Sequence, residues 1–120
     1  MMKRNLHIKI NSILISALIF LTTFLLSGCG TVQIGRDFDL TAFESIAAVG
    51  KTSKAQVMDL LGSPKSTGIM QETSGERYDE WVYISGAGKM PGMKDSKFKI
   101  LQIRFDQAGI LRSYNWTASK

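Results

Sequence analysis

The feature that most constrains this chain is where its longest apolar run stops. Lys3, Arg4 and Lys9 precede an apolar stretch from Ile13 to Leu26, and the only cysteine, Cys29, follows three residues later. A basic start, an apolar centre and small residues just before a single cysteine read as a secretory signal. A membrane-spanning helix needs about 20 mostly apolar residues, whereas a signal core needs about 7 to 15. The run here is fourteen residues, interrupted by Ser16, Thr22 and Thr23, so cleavage is expected rather than retention as a span. Loss of residues 1–28 would leave 92 of the 120 residues. That suffices for one small domain burying roughly 60 to 65% of its unfolded surface, and no second domain fits.

The sequence "LSGC", Leu26 to Cys29, resembles a bacterial lipobox, in which cleavage falls on the amino side of the cysteine and its sulfur receives a diacylglycerol. The resemblance implies that Cys29 is the lipid attachment site and the first residue of the mature chain. Gly30 in the next position, rather than an aspartate, implies the outer membrane, with the domain facing the periplasm. A lone cysteine has two other fates, a free structural thiol or half of an intermolecular disulfide. Its position at the end of the apolar run favours lipid. Each buried methylene contributes about 0.8 kcal/mol, so several acyl chains together make an effectively permanent anchor.

The full chain carries fifteen Lys and Arg against ten Asp and Glu, but three of the basic residues lie within 1–28, leaving +2 on the rest. Much of the apparent basicity is therefore export chemistry. Nucleic-acid binding, which calls for a concentrated basic face, is not expected. The single histidine, His7, also lies within the signal. A mature chain without imidazole, and with its one thiol acylated, excludes Cys-His and Ser-His nucleophilic sites and any His/Cys zinc site. No cofactor, no metal and no enzymatic activity are expected.

Residues 29–39, "CGTVQIGRDFD", show no clear period and read as a lipidated tether. The ten from Gly30 to Asp39 would reach about 33 to 36 Å when extended, far enough that the domain need not rest on the bilayer. The domain itself is expected over residues 40–117. Leu40, Phe43, Ile46 and Ala47 recur at helical spacing, predicting a helix over about 40–48 that stops at Gly50. A second helix starts at Ser53-Lys54-Ala55-Gln56, which matches the capping box, and ends at Gly62 and Pro64. Val57, Leu60 and Leu61 form its apolar face.

Beyond Pro64 the pattern alternates. "TGIMQET" and "ERYDEWVYIS" predict a hairpin with a weak first arm, and "KFKILQIRF" with "ILRSYNW" a stronger one across the turn "DQAG". Trp81 and Tyr83 are expected on one face and Val82 and Ile84 on the other. Residues 86–96, "GAGKMPGMKDS", read as a loop, and 118–120 as a frayed tail. The fold class is thus α+β, two N-terminal helices packed on a small three-stranded antiparallel sheet, with room for one extra weak strand.

Four stretches carry possible chemistry. "VGKT", Val49 to Thr52, ends like a phosphate loop, but the position where such a loop needs its first glycine is Ser45. Nucleotide binding is not expected, and Lys51 reads as a solvated turn residue. Glu76, Asp79 and Glu80 invite an acid/base reading, yet Asp79 and Glu80 alternate across a strand, and a solvated face accounts for them. Trp81, Tyr83, Tyr114 and Trp116 fit a core better than a recognition face. The loop is the best candidate contact surface. Lys89, Met90, Met93 and Lys94 lie around Pro91-Gly92, and methionines beside lysines suit a protein or a lipid headgroup. The competing reading is a loop whose methionines fold back on the sheet.

Taken in order, "GKTSKAQVMDLLGSP", "DEWVYISG" and "LQIRFDQAGILRSYNW" resemble the BamE/SmpA/OmlA family of small outer-membrane lipoproteins. The likeness runs from about Phe38 to Trp116. It implies two helices on a three-stranded antiparallel sheet and an accessory, non-enzymatic role beside the machinery that inserts β-barrel proteins. Two departures mark a divergent paralogue: one additional residue between the glycine and valine of "GKTSKAQV", and a longer segment from Lys65 to Asp79. A ligand-binding or inhibitor module anchored by lipid is the alternative from another functional class.

Overall fold

The computed structural model describes residues 2–24 and 28–120. The chain divides into two compact units, Met1–Gly30 and Thr31–Lys120. The first is helix α1, Met2–Phe24. Thr22 and Thr23 lie within it, their hydroxyls donating to carbonyls three and four residues back. Its apolar side chains from Ile13 to Leu21 are exposed. No helix among the described residues is long and apolar enough to cross a membrane. Of the lipobox, Leu26 and Ser27 lie outside the described residues, while Gly28 and Cys29 are in neither helix nor strand.

The second unit is α+β. It runs β1 (Thr31–Gly35), α2 (Leu40–Ile46), α3 (Lys54–Leu61), β2 (Ser66–Gln71), β3 (Arg77–Lys89), β4 (Lys94–Phe105) and β5 (Leu111–Ala118). The five strands form one antiparallel sheet in the order β1-β3-β4-β5, with β2 also paired to β3. The thirteen residues of β3 make this possible. One edge of that strand is long enough to hold β1 against residues 85–89 and β2 against residues 77–82.

Both helices are fixed by their caps. The carboxylate of Asp39 accepts from the amide of Ala42 at 2.9 Å and opens α2. At α3 the anticipated capping box is complete, with Ser53 Oγ accepting from the Gln56 amide and Gln56 Oε1 accepting from the Ser53 amide. Gly62, with φ +74°, ends that helix, and its carbonyl accepts from the Tyr83 hydroxyl at 2.8 Å. Phe43, Val57 and Leu61 from the helices then close over Tyr83, Leu101, Ile103, Phe105 and Leu111 of the sheet. Trp81 and Tyr114 border this core, edge-on to Phe105 and Phe43 at 5.0 and 5.1 Å.

The sheet corrects the sequence reading in three places. It has five strands, not three; β2 is the weak strand allowed for, but β1 occupies part of the expected tether. Five residues with only Val32 and Ile34 apolar give too short a period to see, and their partners lie fifty or more residues away on β3. The expected loop over 86–96 shrinks to the four residues between Lys89 and Lys94, because Gly86 and Gly88 pair without a break to β1, and the β4 pairing resumes at Lys89 after one shift of register past Ala87. The tail is also tied down. Strand β5 continues through Ala118, the Ser119 amide donates to the Phe98 carbonyl, and the Phe98 amide donates to Ser119 Oγ, both at 2.9 Å.

Candidate functional site

Residues paired directly across strands share a face, so the register sorts the sheet into two surfaces. Trp81, Tyr83, Leu101, Ile103 and Phe105 face α2 and α3. The opposite surface collects Val32 beside Gly88, Ile34 beside Gly86 and Phe98, and Ile84 beside Ile100. Towards β2 that surface is polar: Arg104 donates to Glu80 at 3.2 Å and Asn115 to Gln102 at 3.1 Å. Towards the β3–β4 turn it is apolar. Val32, Ile34, Phe98 and Ile100, with Met90 and Met93 of the turn, are each between 37% and 55% exposed.

The turn brings together the four candidate contact residues named from sequence. Lys89 closes β3 and stands directly across from Lys94, which opens β4. Lys89 Nζ lies 3.5 Å from the Asp95 carboxylate, with both side chains mostly exposed. Gly92, at φ +83°, allows the chain to reverse. Met93 folds back, and a Cβ at position 88 would meet its Cε at 2.7 Å, so Gly88 is the seat of that side chain. The two readings of this loop are thus combined: Met93 packs on the sheet, yet it and Met90 still present apolar surface beside two lysines. Thr31, the first residue of β1, pairs with Lys89. Cys29 is an exposed free cysteine.

The remaining candidates are dispersed. Asp79 pairs with Lys54, Glu80 with Arg104, and Glu76 accepts from the Tyr78 hydroxyl, whose pKa that bond raises. These carboxylates therefore have separate partners and do not converge. Among the described residues no three of His, Cys, Asp and Glu are placed to hold a metal ion. Lys51 is exposed in a turn, as the sequence suggested. Its neighbour Thr52 is the residue that matters structurally: it is buried, its hydroxyl donates to the Ile46 carbonyl at 2.7 Å and accepts from the Ala48 amide at 2.8 Å. Of the aromatics, Tyr83 is buried, which pushes its phenol up to about 12 despite the opposing charge of Arg36, while Trp116 remains 44% exposed and donates to Glu44 at 2.8 Å.

Sequence reasoning missed one polar group altogether. Asp37 accepts from Lys99 at 2.7 Å and from the Ser85 hydroxyl at 3.2 Å, and Lys99 also donates to the Phe38 carbonyl. These bonds, with that from Lys99 first, hold the Asp37 carboxyl below its ordinary value of 3.8. Asp37 and Lys99 border an open cleft of about 470 Å³ with Gln33, Ser85, Ala87 and Lys97. More than sixty residues separate the pair in the chain, and no local pattern signals it.

No protein-family model matches the chain, and neither a curated protein nor a solved structure is similar enough to count as a match.

Proposed function

We propose that this chain is an outer-membrane lipoprotein, anchored through Cys29, whose periplasm-facing domain is a non-enzymatic accessory scaffold in cell-envelope assembly. The most specific form of the reading is a divergent relative of the BamE/SmpA/OmlA family serving β-barrel assembly. The order of sequence motifs supports it, as does the α+β arrangement with both helices on one face of an antiparallel sheet. The observation that carries it is the sheet's second face. An apolar patch continuous from β1 to β4, beside a turn bearing Lys89, Met90, Met93 and Lys94, suits a protein that works by being held against something else.

Two measurements test this. Cys29→Ser is expected to leave an unprocessed precursor that takes up no acyl label; normal processing of that variant refutes the lipoprotein. Crosslinking in membranes followed by purification is expected to recover barrel-assembly components. Their absence, under conditions that capture known subunits of that machinery, removes this partner. The cleft bordered by Asp37 and Lys99 favours a second reading, a lipid-anchored ligand-binding or inhibitor module. Saturable binding of a cell-wall fragment or an enzyme, lost on Lys99→Ala, would select it.

A further inference from the structure

The pairing of β1 changes what a lipid on Cys29 can do. As a ten-residue tether, Gly30 to Asp39 would let the domain stand well clear of the membrane. In the folded domain the free length ends at Thr31, which is already paired with Lys89 at the β3–β4 turn. In sequence only Gly30 stands between Cys29 and Thr31, and two extended residues span at most about 7 Å. Acyl chains on Cys29 would therefore hold the turn at the bilayer surface, whichever way the rest of the domain faced.

The turn is chemically suited to that position. Val32, Met90 and Met93 present apolar surface. Lys89 and Lys94, paired across the two strands, flank the turn that carries both methionines, against the single carboxylate of Asp95. Apolar side chains at headgroup depth, ringed by lysines that attract anionic lipid, are the usual makings of interfacial contact. The other end of β3, near Arg77 and the turn from Gln71, lies about twelve residues up the strand, some 40 Å away at 3.3 Å per residue.

We infer that the β3–β4 turn is a bilayer-contact element: it seats on an anionic phospholipid surface beside the lipid anchor and stands the sheet upright on the membrane, turning its β2 end to the periplasm. This rests on lipid attachment at Cys29 and names the partner of the turn as the lipid surface itself. The apolar face above it is left for protein.

The test uses the full chain, acylated and processed, with its acyl mass verified. Acylation blocks the Cys29 sulfur, so Met90→Cys gives one reactive thiol at the turn, and Thr73→Cys gives one at the far end of the sheet. Each is labelled with the same fluorophore and placed in phosphatidylcholine vesicles containing 30% phosphatidylglycerol and a headgroup-nitroxide lipid. Quenching at position 90 is expected to exceed that at position 73 at least fivefold. Added Lys89→Glu and Lys94→Glu changes should reduce it several-fold with acylation intact. Equal quenching at the two positions of a fully acylated chain overturns the orientation and leaves the anchor standing. A processed chain without acyl mass overturns the anchor and the orientation with it. Quenching absent from these vesicles, with position 90 shielded only when other membrane proteins are present, assigns the turn to a protein and also overturns the inference.

Discussion

The two halves of the β3–β4 ladder are both antiparallel, the second with one shift of register between Ala87 and Lys89, and lead opposite lives. In the half from Asp79 to Tyr83, paired with Leu101 to Phe105, every inward residue meets α2 or α3 or borders their core, and Leu101, Ile103 and Phe105 are fully buried. In the half from Ser85 to Lys89, paired with Lys94 to Lys99, no helix of this domain contributes to that core, and glycine alternates with small or charged residues. What secures the second half is β1 on its outer edge. Both halves are strand-paired on that edge, the first by β2 and the second by β1, and only the first is also closed by apolar burial under the helices.

Truncation should expose this difference most sharply. Leu101→Ala deletes a wholly buried side chain and is expected to cost about 2–5 kcal/mol. Phe98→Ala, three residues away on the same strand and 45% exposed, should cost about 1 kcal/mol or less. Urea unfolding of both variants measures the contrast, and comparable losses would show that the two halves share one core. A loss between those two should follow from detaching β1. Gly35 has φ +69°, and a Cβ there would stand 1.9 Å from the Ile84 carbonyl oxygen, which is backbone and cannot move aside. Gly35→Ala is expected to cost about 1–3 kcal/mol through strain. It should also speed amide exchange at residues 85–89 far more than at 101–105, and uniform acceleration would break the comparison.

The buried half was legible in the sequence and the displayed half was not. Trp81 and Tyr83 facing one way, Lys99 to Phe105 alternating, and the Ser53–Gln56 capping box are local patterns, and each was found where its period or spacing predicted. The displayed half depends on partners distant in the chain. Gly86 and Gly88 look like loop residues until Ile34 and Val32 lie beside them, and Val32 and Ile34 look like tether until those glycines lie flat against them. Neither segment signals a strand alone. The same holds for the candidate site: Lys89, Met90, Met93 and Lys94 were recognisable by composition, but their nearness to the start of the domain is a matter of register. Thr52 was hidden for the opposite reason, because a phosphate-loop resemblance drew attention to Lys51 while the buried hydroxyl beside it fixed the turn.

The boundary between the halves falls at Lys99, whose ammonium is shared between Asp37 and the Phe38 carbonyl and lies 5.0 Å over the Phe38 ring. A carboxyl whose folded pKa is depressed adds stability above its unfolded value and loses it as pH falls through the folded one. Asp37 should therefore contribute at neutral pH and progressively less below about pH 4. Its side chain is 73% exposed, so the effect is expected within the roughly 0.2–1 kcal/mol of an exposed pair. Asp37→Asn should lower stability at pH 7 by that amount and converge on the parent near pH 2. Added salt at pH 7 should narrow the difference, since the pair is screened. Equal loss at both pH values would mean that Asp37 acts through its bond with Ser85 rather than its charge, and that strand pairing alone sets where the buried half ends.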